Sequence, residues 1–198
     1  MLERMPQATL APTRSSAAHA QHAVRGWGPR MIRGARYVHT NVVARDWRAL
    51  AAFYQSVFGC IPVPPERNYS GRELEVLTGV HGAALTGAHL LLPGSAADGP
   101  TLEIFQYSVS APGPGPTINC PGLAHIAFTV DSVDDARREV LEAGGAAVGD
   151  VTLLTTATGA QVNLCYVTDP EGNIIEFMAW GQQAPTDNAI EPATSALD

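Results

Sequence analysis

The chain has 198 residues, 45% apolar and 16% charged, which fits a globular protein holding one generous domain or two small fused ones. Its formal charge of −7 argues against a nucleic-acid or anionic-membrane partner, and no apolar run approaches the roughly 18 residues of a membrane helix. Cys60, Cys120 and Cys165 are widely spaced and lack C-x-x-C spacing or disulfide density, so reduced thiols in a cytoplasmic setting are expected.

Residues 1–34 are rich in Ala, Ser and Arg and show no periodic apolar face. They read first as a disordered extension, or as sequence upstream of a start at Met31. An organellar transit-like segment is the second reading, since such segments are Arg- and Ser-rich and poor in acids. A first module is expected over 35–110. From 37 to 43 the chain is β-branched and alternating, as a strand would be. Asp46 then offers an N-cap, and Trp47, Leu50, Ala51, Tyr54, Val57 and Phe58 follow at helical spacing until Gly59. Three further strands are expected near 73–79, 83–92 and 101–108, with the run Pro62-Val63-Pro64-Pro65 as a loop.

Residues 111–121, rich in Pro and Gly, read as a semi-rigid linker. The second module, 122–181, repeats the plan. A strand over 123–130 precedes Ser132 and Asp135, which resemble a capping box, and Val133, Ala136, Val140 and Leu141 form a buried stripe. Gly144-Gly145 ends the helix, and strands follow near 147–154, 161–167 and 173–180. Twenty residues separate His39 from Gly59, and twenty separate His125 from Gly145. Each half is therefore β-α-β-β-β, and residues 182–198 read as a flexible tail.

This register singles out four residues. His39 and His125 open the halves, and Glu103 and Glu176 lie in the closing strands. Strand parity puts His39 and Asn41 on the face away from the first helix, and His125 on the corresponding face of the second half. The same parity groups Glu103 with Thr101, Phe105 and Tyr107, and Glu176 with Ile174, Met178 and Trp180. A carboxylate within an apolar strand is costly to bury unless it is paired or metal-bound. Alone, either histidine reads as a satisfied core residue. One rule placing all four favours a divalent-metal site, because imidazole and carboxylate suit such ions. Closed structural zinc sites favour thiolates, and none of the three cysteines is in the pattern. His81 and His89 read as surface or cavity-lining residues without a role.

The segments H-T-N-V-V-A-R-D-W-R-A-L-A-A-F-Y-Q-S-V-F-G, L-A-H-I-A-F-T-V-D-S-V-D-D-A-R-R-E-V-L-E-A-G-G and V-T-D-P-E-G-N-I-I-E-F resemble the vicinal oxygen chelate superfamily, the glyoxalase, bleomycin-resistance and extradiol-dioxygenase group. The likeness spans about 36–180, and D-P-E-G-N-I-I-E-F is its most specific part. It implies an α+β fold in which two β-α-β-β-β modules form a half-open curved sheet or barrel around a metal cavity. By resemblance to the glyoxalase I and methylmalonyl-CoA epimerase branches, His39, Glu103, His125 and Glu176 would hold zinc, nickel, cobalt or manganese. Glu103 or Glu176 would also serve as the base. Asn41, Phe105, Tyr107 and Met178 would line the substrate pocket. The implied activity is that of a lyase or isomerase acting on a small molecule with vicinal oxygens through an enediolate. An iron-dependent extradiol-type dioxygenase and a metal-free small-molecule binding or resistance protein are the alternatives. The modules pair within one chain or swap between chains, with a homodimer favoured.

Overall fold

The structure, a computed structural model, describes residues 32–111, 113, 115 and 117–181. What the sequence suggests for residues 1–31 and for the tail from 182 lies outside the described residues. The compact unit that carries the fold begins at Tyr37.

Strand β1 (His39–Val43) leads into α1 (Trp47–Phe58). The Asp46 carboxylate accepts the backbone N–H groups of Arg48 and Ala49, both at 3.0 Å, and so fixes where α1 begins. Gly59 ends it with φ of 67°, a left-handed conformation that a Cβ would penalise. After α1 come β2 (Ile61–Ser70), the short helix α2 (Arg72–Thr78), β3 (Ala84–Leu91) and β4 (Thr101–Tyr107). The strands form one sheet in the order β1-β4-β3-β2, with β1 parallel to β4 and the other pairs antiparallel.

Two expectations are corrected here. The proline-rich segment after Gly59 is a strand, and 73–79 is helical. Strand β2 lies at the sheet edge, where proline is tolerated, and its register shifts between Val63 and Arg67, the stretch that holds Pro64 and Pro65. Helix α2 forms because Leu74 packs on Ala83 and Leu85 in a small cluster that also takes in Phe105 and Tyr107.

The second half contains β5 (Ile126–Thr129), α3 (Val133–Glu142), β6 (Ala146–Ala147), β7 (Thr152–Thr155), β8 (Gln161–Thr168) and β9 (Ile174–Trp180). Its sheet runs β5-β9-β8-β6, with β7 also paired to β8. The single strand expected near 147–154 is thus two short ones. Ser132 caps α3 through the Asp135 N–H at 3.2 Å. The architecture is the expected α+β one, two curved, unclosed sheets with few helices.

The helix-bearing faces of both sheets meet in one core. Leu50, Tyr54, Leu90 and Ile104 from the first half join Val133, Val140, Ile175 and Phe177 from the second. The Phe58 ring stands 4.5 Å from that of Phe128 and 5.8 Å from that of Phe177. The D-P-E-G-N turn ties the halves together at one end. Buried Asp169 accepts the Glu171 and Asn173 backbone N–H groups on Oδ1, and the Asn173 amide and Tyr54 hydroxyl on Oδ2. The Glu171 carboxylate accepts the N–H groups of Arg45 and Asp46 just ahead of α1. With both helix-bearing faces buried in one core, the polar side chains on the opposite strand faces are left available for chemistry.

Candidate metal centre

Glu103 sits in the middle of β4, flanked in register by Asn41 on β1 and His89 on β3. Register partners point to the same side of a sheet, so these three side chains meet on the face away from α1. Glu103 is only 9% exposed, and it is fully engaged. Its Oε1 lies 2.9 Å from His89 Nε2. Its Oε2 accepts the Asn41 amide at 2.8 Å and lies 3.5 Å from His39 Nε2. The His39 and His89 rings stand edge-to-face with centroids 5.7 Å apart. His89 Nδ1 is 3.0 Å from the Thr101 hydroxyl, which orients the ring and leaves Nε2 facing the carboxylate.

The donor atoms of His39, His89 and Glu103 all lie within 4.8 Å of one another. An ion with bonds of about 2.0–2.2 Å holds neighbouring donors about 3 Å apart, so these residues fit one. Two imidazoles and one carboxylate are offered, with Asn41 holding the carboxylate and Thr101 one imidazole in place. Burial holds the His89 imidazole below its ordinary range, and the charges of Arg67 and His39 push the same way. Glu103 opposes them.

The second half repeats this geometry with two changes, Ala127 in the place of Asn41 and Tyr166 in the place of His89. Glu176 on β9 is flanked by Ala127 on β5 and Tyr166 on β8. His125 Nε2 lies 2.9 Å from Glu176 Oε2, and its ring centroid is 5.3 Å from that of Tyr166. The Tyr166 phenol is pushed up by burial and by the Glu176 charge. His125 Nδ1 is buried and without a partner among the described residues. Each histidine stands two residues before the register partner of its glutamate.

The structure thus brings the four expected residues together as two pairs, His39 with Glu103 and His125 with Glu176. Among the described residues, the group of three donors within 4.8 Å is His39, His89 and Glu103. His89, which the sequence leaves without a role, is the third member. The repeat selects positions shared by both halves, and the counterpart of His89 is Tyr166. Its one sequence signal is parity, since Leu85, Gly87, His89 and Leu91 alternate on one strand face. His81 is on the surface, 3.5 Å from Glu75.

A cavity of about 160 Å³ is bordered by Asn41 from the first cluster and His125 from the second. Phe105 stands edge-on to His89, with centroids 6.1 Å apart. Tyr107 packs toward α2, and Met178 is half-buried in register with Thr129 and Leu164. The hollow of about 610 Å³ beside Phe53, Ala143 and Glu171 is lined by none of the clustered imidazoles.

Solved structures of other proteins align with the chain. A glyoxalase family protein from Bacillus cereus is 17% identical and aligns over 78% of this chain and 99% of its own, with a TM-score of 0.61. A glyoxylase/bleomycin resistance protein/dioxygenase domain from Frankia sp. EAN1pec is 18% identical over 74% and 98%, with a TM-score of 0.50. The fosfomycin resistance protein FosX of Listeria monocytogenes, crystallised with Mn(II) and sulfate, is 16% identical over 77% and 96%, with a TM-score of 0.41. Comparison with curated protein sequences gives no significant match. The model of the Glyoxalase/Bleomycin resistance protein/Dioxygenase superfamily matches residues 36–177, most of the chain and both sheets, and the chain belongs to that superfamily.

Proposed function

We propose that the chain is a divalent-metal-dependent lyase or isomerase of the glyoxalase type, which moves a proton at the carbons that bear the vicinal oxygens of a small molecule, through an enediolate. The observation that supports this most is the His39–His89–Glu103 cluster with its supporting groups. Zinc, nickel, cobalt or manganese suits that donor set. Such an ion supplies Lewis acidity to the substrate oxygens when bound. His39 and His89 would hold it through Nε2, with the Thr101 hydroxyl steadying His89. Asn41 fixes the Glu103 carboxylate as a ligand rather than a mobile group. The second pair then has the proton-transfer role. Glu176, with His125 and Tyr166 as its neighbours, is the base in this proposal.

The test begins with metal analysis of protein purified without chelator. Near-stoichiometric metal, lost in Glu103→Ala and in His89→Ala, is the expected result. Metal retained in both variants sinks the ligand assignment. Loss in His125→Ala as well supports pooling of all four residues first picked out by the repeat. Glu176→Gln keeps its metal but slows deuterium exchange at the hydroxyl-bearing carbon by about a hundredfold or more, read by NMR on a panel of hydroxy ketones.

One observation favours a second reading. Two imidazoles and one carboxylate with open positions form the facial triad of non-haem iron oxygenases. Iron in the purified protein with oxygen uptake on catechols supports that alternative. Absence of any metal from active, ligand-binding protein supports a binding or resistance role.

A further inference from the structure

We infer that Arg67 makes this centre selective for dianionic chelators, small organic acids whose vicinal oxygens carry a second charge. The inference rests on the metal reading above. On the open face of the first sheet, one rung runs Val63, His89, Glu103 and Asn41. The next rung runs Arg67, Gly87, Phe105 and Val43. Successive same-face positions on a strand lie about 7 Å apart, well within the reach of an arginine side chain. Arg67 therefore stands diagonally beside His89.

On its own rung Arg67 is neighboured by Gly87, which has no side chain and where a Cβ would meet the Ile104 carbonyl oxygen and the Phe105 ring.

What Arg67 lacks is a counter-ion. Arg45 is paired with Glu171 and Arg48 with Glu66. Among the described residues, no carboxylate lies within 4.0 Å of Arg67. It donates one N–H to the Pro65 carbonyl, which leaves most of its five donors open. The side chain is nonetheless half-buried, where an uncompensated charge is costly. A divalent ion with a single carboxylate ligand keeps a net positive charge, and Arg67 adds to it. An anion that bridges two like charges on neighbouring rungs relieves their repulsion, and a fork of N–H donors is shaped for a carboxylate.

The test uses the full chain loaded with Co(II), whose absorption reports the ligands directly. Oxalate presents vicinal oxygens together with further charge. Acetohydroxamate presents two vicinal oxygens without a second charged group. Arg67→Gln should weaken oxalate binding roughly ten- to hundredfold and change acetohydroxamate binding by no more than about twofold. Co(II) affinity should be unchanged or tighter, and Arg67→Lys should restore part of the oxalate affinity. Oxalate affinity indifferent to residue 67, or both chelators weakened alike, overturns the proposal alone. Failure of the wild-type chain to take up Co(II) overturns the metal reading and this proposal with it.

Discussion

Tyr54 and Asp169 show how single residues hold this molecule in register. The Tyr54 hydroxyl donates to Asp169 Oδ2 at 3.0 Å, across a separation of 115 residues. Burial first, and the Asp169 charge second, push the Tyr54 phenol well above its ordinary range. A raised value in the folded state means that the stabilisation is fully present below the unfolded value of about 10 and is lost as pH rises above it. Unfolding free energy from urea melts should therefore hold level approaching about pH 10 and fall beyond it. Tyr54→Phe should cost about 1 kcal/mol at neutral pH and remove part of the alkaline decline. An unchanged slope in that variant would show that other groups set the alkaline limit. At this same scale, Glu103 and Glu176 are legible in the sequence because they repeat, and a repeated carboxylate in an apolar strand has few explanations. His89 and Arg67 are not. Each acquires its meaning only from a cross-strand register, which no spacing along the chain records.

Elements with local causes are the ones the sequence declares. Both long helices start where a capping side chain stands, at Asp46 and Ser132, because an N-cap needs only the next few backbone amides. Asp46→Ala should cost about 1 kcal/mol of stability, visible as a lower denaturation midpoint with an unchanged slope. A midpoint equal to wild type would mean that Glu171, which accepts the Asp46 N–H at 2.8 Å, caps the helix on its own. Strand β2 and helix α2 are misread from sequence for a shared reason. Prolines argue against a strand only in its interior, and nothing local says that β2 is an edge. Likewise, Arg72–Thr78 has too few residues to show a helical period against a strand-like apolar pattern.

At the scale of the molecule, the shared core decides the behaviour. Val140 on α3 and Leu50 on α1 belong to one buried cluster, so neither half presents a finished core of its own. Unfolding should be a single transition, with circular dichroism and calorimetry coincident, and Leu50→Ala or Val140→Ala should shift it as a whole by about 2–4 kcal/mol. Two resolved transitions would contradict the shared core. The repeat announces two matching halves, yet it is silent on how they pack, because that depends on which aromatic rings interleave. The rung that carries the two glutamates, with His89 in one half and Tyr166 in the other, has a further consequence. It fixes the stoichiometry. A duplicated scaffold with a ligand at one rung and a phenol at the other should take one ion per chain, although it carries two matching histidine–glutamate pairs. Tyr166→His would supply the missing imidazole in the second sheet, beside His125 and Glu176, and should raise the metal content toward two ions per chain. The duplication thus left a spare centre, one side chain short.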